Sequence, residues 1–144
     1  MKLMAETVTV TWDWLPCGNV ELAGGKLRFP RVPAAPGVYR MTFQDDRGLL
    51  VGIYVGEADL LPRGLQHYRT PGPSQQTNIR LNLDIVNTLA AGGRIRLEVA
   101  ITAQLIAADG TETPLNLTWK AARVLVECAA EVTQRTAGTP MLNR

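Results

Sequence analysis

The chain has three tyrosines and one histidine, and Tyr39, Tyr54, His67 and Tyr68 all fall within 30 residues, together with Arg63. That set has a definite chemistry. Phenols orient or deprotonate a water, a guanidinium holds the non-bridging oxygens of a phosphate, and an imidazole moves a proton near neutrality. Two of the tyrosines sit in short glycine-bearing tags, Gly37-Val38-Tyr39 and Tyr54-Val55-Gly56, with the two phenols fifteen residues apart.

The segments around the tags decide whether these groups meet. Val38 to Phe43 alternates apolar and polar, Leu49 to Val55 is almost wholly apolar, and Gln44-Asp45-Asp46-Arg47-Gly48 between them is rich in turn-formers. A hairpin folded symmetrically about Asp46 and Arg47 places Tyr39 directly opposite Tyr54, Met41 opposite Gly52 and Phe43 opposite Leu50. Directly opposed side chains share a sheet face, with Cβ atoms about 4.5–5.5 Å apart. The same pattern also suits an aromatic pair that only stabilises a hairpin. Downstream, Asp59 is placed to cap a helix from about Leu60 to Arg69, with Pro62 in its first turn. Leu61, Leu65 and Tyr68 form its apolar stripe, which favours core packing for Tyr68. Arg63 and His67, four apart, share a different face that points at solvent or a cleft. Gly64 costs that helix about 1 kcal/mol relative to alanine, which fits close approach of another backbone.

The remaining pattern reads as α+β. Val8, Val10 and Trp12 alternate with threonines, and Val20 to Phe29, broken by Gly24-Gly25, reads as the pairing strand of an extra N-terminal β-hairpin. Residues 30–36 hold three prolines and form a rigid connector. Asn78 caps a helix to about Ala91, with Ile79, Leu83, Val86, Leu89 and Ala90 inward, and Gly92-Gly93 ends it. Ile95, Leu97, Val99 and Ile101 alternate with Arg96 and Glu98 as a half-buried strand. Residues 108–118 read as a polar loop. A last helix runs from about Trp119 to Arg135, with Ala121, Leu125, Cys128, Ala129 and Val132 inward and Glu127 and Glu131 on the opposite, solvated side.

In order and spacing, these elements resemble the GIY-YIG nuclease domain family. Gly37-Val38-Tyr39 looks like the first tag and Tyr54-Val55-Gly56 like the second. Arg63 and His67 follow on a helix, Glu127 lies on a late helix after Val124-Leu125-Val126, and Asn143 stands next to last in the sequence, in Pro140-Met141-Leu142-Asn143-Arg144. The resemblance covers about residues 35–144, with residues 1–34 as a β extension of the same compact unit. It implies a small, mostly antiparallel three-stranded central sheet flanked by helices. It also implies a divalent-metal-dependent endonuclease that hydrolyses phosphodiester bonds in DNA, RNA being the alternative substrate. Tyr39, Tyr54, Arg63, His67, Glu127 and Asn143 would carry the chemistry. Glu127, with Glu131 as the second choice, would hold Mg²⁺ or Mn²⁺. A catalytically silent nucleic-acid or protein-binding module on the same scaffold is the other reading. With no appended recognition module, selectivity would come from residues 1–34, the loops, a homodimer or a partner protein.

Composition bounds these readings. The chain has 144 residues, 46% of them hydrophobic and 19% charged, which suits one ordinary core. No apolar run approaches the ~20 residues that span a bilayer, and the N-terminus lacks the apolar core of a signal peptide. Cys17 and Cys128 match no zinc spacing and read as free thiols of a cytoplasmic protein. A net charge of +2 argues against a large, sequence-blind DNA grip but leaves room for local patches, such as Arg63, Arg69 and Arg80, or Lys26, Arg28 and Arg31.

Overall fold

The computed structural model describes residues 1–143. Strands β1 (Thr9–Trp12), β2 (Leu15–Asn19), β3 (Glu21–Ala23), β4 (Lys26–Arg28), β5 (Gly37–Gln44) and β6 (Leu50–Ala58) come first. Helices α1 (Leu61–Arg69) and α2 (Gln76–Ala90) follow, then β7 (Arg94–Ala100), β8 (Ala103–Ile106), β9 (Glu112–Pro114) and helix α3 (Lys120–Thr136). The central sheet runs β2-β7-β5-β6 with every pairing antiparallel. The expected three-stranded unit is β7-β5-β6, and the N-terminal segment adds a fourth strand.

That addition corrects the expected N-terminal hairpin. β1 does not pair with residues 20–29; it joins β8 and β9 in a separate sheet, and β9 occupies part of the expected polar loop. β3 and β4 instead fold on each other about Gly24 and Gly25, both with positive φ. The glycine pair suits a two-residue primed turn, so the segment closes locally rather than reaching β1.

Turn chemistry also sets the register of the central hairpin. Asp45 Oδ1 accepts from the backbone N–H of Arg47 and of Leu49, both at 2.9 Å, and Gly48 takes φ 79°. The loop therefore closes on Asp45 and Leu49, one residue longer than a symmetric two-residue turn, and a bulge between Phe43 and Gln44 adds a second slip. Tyr39 consequently pairs with Gly56 and Tyr54 with Met41, not with each other. Two slips preserve side-chain parity, so both phenols still emerge on one face.

Each face of the sheet has its own core. Tyr39, Met41, Phe43 and Tyr54 pack with Leu61 and Leu65 of α1 and with Leu81 and Ile85 of α2. Val38, Ile53, Val55 and Ala100 pack with Ala122, Val126 and Ala130 of α3. Two helix faces differ from expectation. In α2, which starts at Gln76 rather than Asn78, Leu81 and Ile85 are buried while Leu83 is 54% exposed. In α3 the inward stripe is Ala122, Arg123, Val126 and Ala130, while Cys128 and Val132 are exposed. α1 keeps its expected stripe of Leu61, Leu65 and Tyr68, although Leu60 rather than Asp59 is its N-cap and makes no side-chain cap bond.

The tail after α3 covers the open edge of β6. Ile53 N–H donates to Pro140 O, Leu142 N–H donates to Ile53 O, and Met141 forms a parallel bridge to Ile53. An edge strand left bare is a template for unwanted pairing, so this cap protects it.

Candidate active site

Tyr39, Tyr54 and Tyr68 form a buried phenol cluster, 3%, 9% and 4% exposed. The Tyr68 ring centroid lies 6.0 Å from that of Tyr39 and 6.2 Å from that of Tyr54, edge-on to both. Its hydroxyl is hydrogen-bonded to that of Tyr39 and donates to that of Tyr54 at 3.4 Å. Tyr68 is therefore both a core residue and the link between the two tagged phenols. The second tag's glycine makes this possible: the Tyr39 ring lies directly over Gly56, where any Cβ would overlap its Cζ and hydroxyl oxygen. Gly64 plays a comparable part in α1, since a Cβ there would sit 2.6 Å from Ala58 Cβ on β6. The close approach anticipated at Gly64 is thus to a side chain rather than to backbone.

The phenols differ from free tyrosine. Burial pushes Tyr39 far above the usual tyrosine range. The neighbouring Tyr54 adds to that, the Tyr68 hydrogen bond opposes it, and the carboxylates of Glu127 and Glu57 add further. Burial likewise raises Tyr68, followed by its two phenol neighbours. Both stay protonated at neutral pH and act as hydrogen-bond donors rather than bases.

The acids approach from the α3 side of the β6 edge. Glu127 is half-buried, not solvated, because α3 is rotated relative to its expected stripe. Burial raises its carboxyl above the usual range, and the charges of Glu57 and Glu131 add to this. Glu57 is held by Arg123, whose Nε donates to its Oε2 at 2.6 Å. Arg123, 5% exposed, also donates through Nη1 to the carbonyls of Leu117 and Thr118 at 3.1 and 3.0 Å. Glu131 is engaged by Arg135 at 2.8 Å, whereas no ion pair holds Glu127 among the described residues.

Arg63 and His67 are exposed on the remaining face of α1. Arg63 pairs with Asp59 at 3.0 Å, and its hydrogen bond and charge hold the Asp59 carboxyl below the usual range; Arg123 contributes more weakly. Arg63, Asp59, Arg123 and Glu57 thus cluster where β6 leads into α1. Asn143 acts through backbone: Val55 N–H donates to its Oδ1 at 3.0 Å, and its Nδ2 donates to Val55 O at 2.7 Å. Its carboxamide copies a strand residue beside Tyr54. Together with Gln76, Thr77 and Arg80, these two line a cleft of about 330 Å³. Arg80 belongs to that cleft, donating to Leu142 O at 3.2 Å, so it does not join Arg63 and Arg69 in one patch.

Sequence reasoning missed Glu57 and Arg123. The available signal was the Arg123–Glu127 spacing of four on a helix otherwise lined inward by alanine and valine. No cluster of three metal-ligating side chains exists among the described residues. A carboxylate with like charges nearby still fits a hard divalent cation, which relieves that repulsion and keeps most of its waters.

No family model matches the chain, and no curated protein matches it. Among solved structures, that of a mutant of bacteriophage T4 EndoII is similar, with a TM-score of 0.55 at 16% identity, over 91% of this chain and 92% of that one. At that identity the likeness establishes a shared α+β fold. No helix of the described residues is long and apolar enough to cross a membrane.

Proposed function

We propose that this chain is a divalent-metal-dependent endonuclease that hydrolyses phosphodiester bonds in DNA. The observation that carries this reading is the linked cluster of Tyr39, Tyr68 and Tyr54, whose last member opens on the cleft lined by Asn143 and Arg80. The fold shared with EndoII supports it.

Each residue then has a role its surroundings suit. Tyr54 ends the hydroxyl chain and borders the open cleft, so it orients the attacking water. Tyr39 and Tyr68, kept protonated by burial, fix the Tyr54 hydroxyl by donating through the chain. Arg63, 61% exposed at its side chain, exchanges Asp59 for a phosphate and takes its non-bridging oxygens in a planar fork. His67 on the same face passes the proton to solvent. Asn143 holds the tail that walls the cleft. Glu127 would hold Mg²⁺ or Mn²⁺, which when bound supplies Lewis-acid polarisation of the phosphate and stabilises the leaving oxygen.

Supercoiled plasmid incubated with Mg²⁺, Mn²⁺ or EDTA tests the proposal. Nicking is expected in either metal and not in EDTA. Tyr54→Phe, Arg63→Ala and Glu127→Ala should each lower the rate about 10²–10³-fold, the usual loss when one electrostatic contributor is removed. Cleavage unchanged in all three variants would refute the site. DNA bound but never cut would leave a binding module, and a matched RNA substrate would show which nucleic acid is preferred.

A further inference from the structure

Seven of the described arginines have a carboxylate within 4 Å. Lys26, Arg31 and Arg69 do not, among the described residues, and all three are exposed. They come from distant parts of the sequence, yet the fold brings them to one surface. Two clefts of about 330 and 350 Å³ share Gln66 and Arg69 as a common wall. Arg28, Phe29 and Arg31 line the first, and Lys26 lines the second.

The surface is built rather than accidental. β3 and β4 close on Gly24 and Gly25, and alternation along β4 sends Leu27 into the core at 2% exposure while Lys26 and Arg28 face solvent. Leu27 thereby anchors the hairpin against α1 and α2. Pro30 and Pro33 stiffen the segment that carries Arg31. On α1, Gln66 and Arg69 lie on one side of the exposed surface, and Arg63 and His67 lie about one 100° step further round. The groove and the candidate active site thus occupy adjacent faces of the same helix.

We infer that the groove between the β3–β4 hairpin and α1 binds the phosphate backbone of double-stranded DNA, with Lys26, Arg31 and Arg69 as its contacts. It is a second contact surface beside the reacting groups, and it turns residues 20–31 from padding into the element that holds the duplex. The choice of ligand rests on the nuclease reading; the groove itself does not. Unpaired cations spaced along a groove neutralise successive phosphates and release counterions, which makes binding steeply salt-dependent.

Fluorescence anisotropy with a labelled 20-bp duplex in EDTA, from 50 to 200 mM KCl, tests the inference without cleavage. Lys26→Gln/Arg31→Gln/Arg69→Gln should weaken binding at least tenfold at low salt. It should also reduce the slope of log K against log salt by about 3, close to 0.9 per lost contact. Arg31→Lys/Arg69→Lys should retain both affinity and slope, and Arg47→Gln/Arg94→Gln, which removes exposed cations elsewhere, should change neither. Equal urea midpoints for all variants establish that the fold is intact. Wild-type affinity and slope in the triple variant, or no duplex binding by the wild type, overturns the groove. Groove-dependent binding by a protein that never cuts plasmid upholds the groove and removes the nuclease reading.

Discussion

The two sides of β6 handle polar chemistry in opposite ways. On the α1 side, Tyr39, Tyr54 and Tyr68 are buried among apolar side chains and their hydroxyls satisfy one another. On the α3 side, Glu57, Glu127 and Arg123 bring charge into a partly buried setting, where one acid is neutralised by the guanidinium and the other is not. Neutral groups can be buried deeply at modest cost, while charge must be paired or left near solvent.

Breaking the ion pair should give the largest stability effect. Arg123→Ala leaves Glu57 and two carbonyls without their partner, and should destabilise by about 3–5 kcal/mol in urea unfolding. The exposed Arg63→Ala should leave the urea midpoint where it was, although under the proposed function it should slow cleavage; equal midpoints for the two variants would erase the contrast between buried and exposed pairs. Gly56→Ala, on the phenol side, should cost about 1–3 kcal/mol by forcing the Tyr39 ring off its seat. Its near-ultraviolet circular dichroism should shift as well, since the tyrosine cluster is disturbed. Tyr68→Phe removes the bridging hydroxyl and leaves Tyr39 unpartnered, at about 1–2 kcal/mol by thermal unfolding.

The smallest effect sharpens the comparison most. The Glu127 carboxyl is raised in the folded state, so folded protein keeps that proton to higher pH than unfolded chain does. The associated stability is complete below the ordinary glutamate range and is lost as pH rises through the raised value. Glu127→Gln removes this loss. It should unfold at a higher temperature than wild type at pH 7 and match it at pH 4, while under the proposed function its cleavage should fall about 10²–10³-fold. A variant less stable than wild type at pH 7 would show that the carboxylate is held by a contact rather than strained by its neighbours.

Local pattern carried much of the site. Alternation through Val38–Phe43 and Ile95–Val99 identified the central strands, and the Leu61, Leu65, Tyr68 spacing identified the buried face of α1. The tyrosine register was wrong by two residues, yet the shared face survived because strand parity repeats every two. α3 was misread for a physical reason: small and aliphatic side chains occur all round it, so several stripes compete and periodicity does not choose between them. The stripe that wins contains Arg123, because Glu57 on β6 and the carbonyls of Leu117 and Thr118 are there to receive it. The N-terminal pairing failed similarly, since β1 and β2 had open edges of β8 and β7 to join.

By itself, the sequence determined which residues are phenols, where the hairpin turns, and that α1 presents Arg63 and His67 away from its buried stripe. Those outcomes depend on neighbours a few positions away, within reach of backbone preference and side-chain period. Tertiary structure decided that Tyr68 links the two tags, that Arg123 neutralises Glu57 and leaves Glu127 unpaired, and that the tail seals β6 through Asn143. These contacts join residues far apart in the chain, and they form only because packing leaves one edge, one helix face and one charge without another partner.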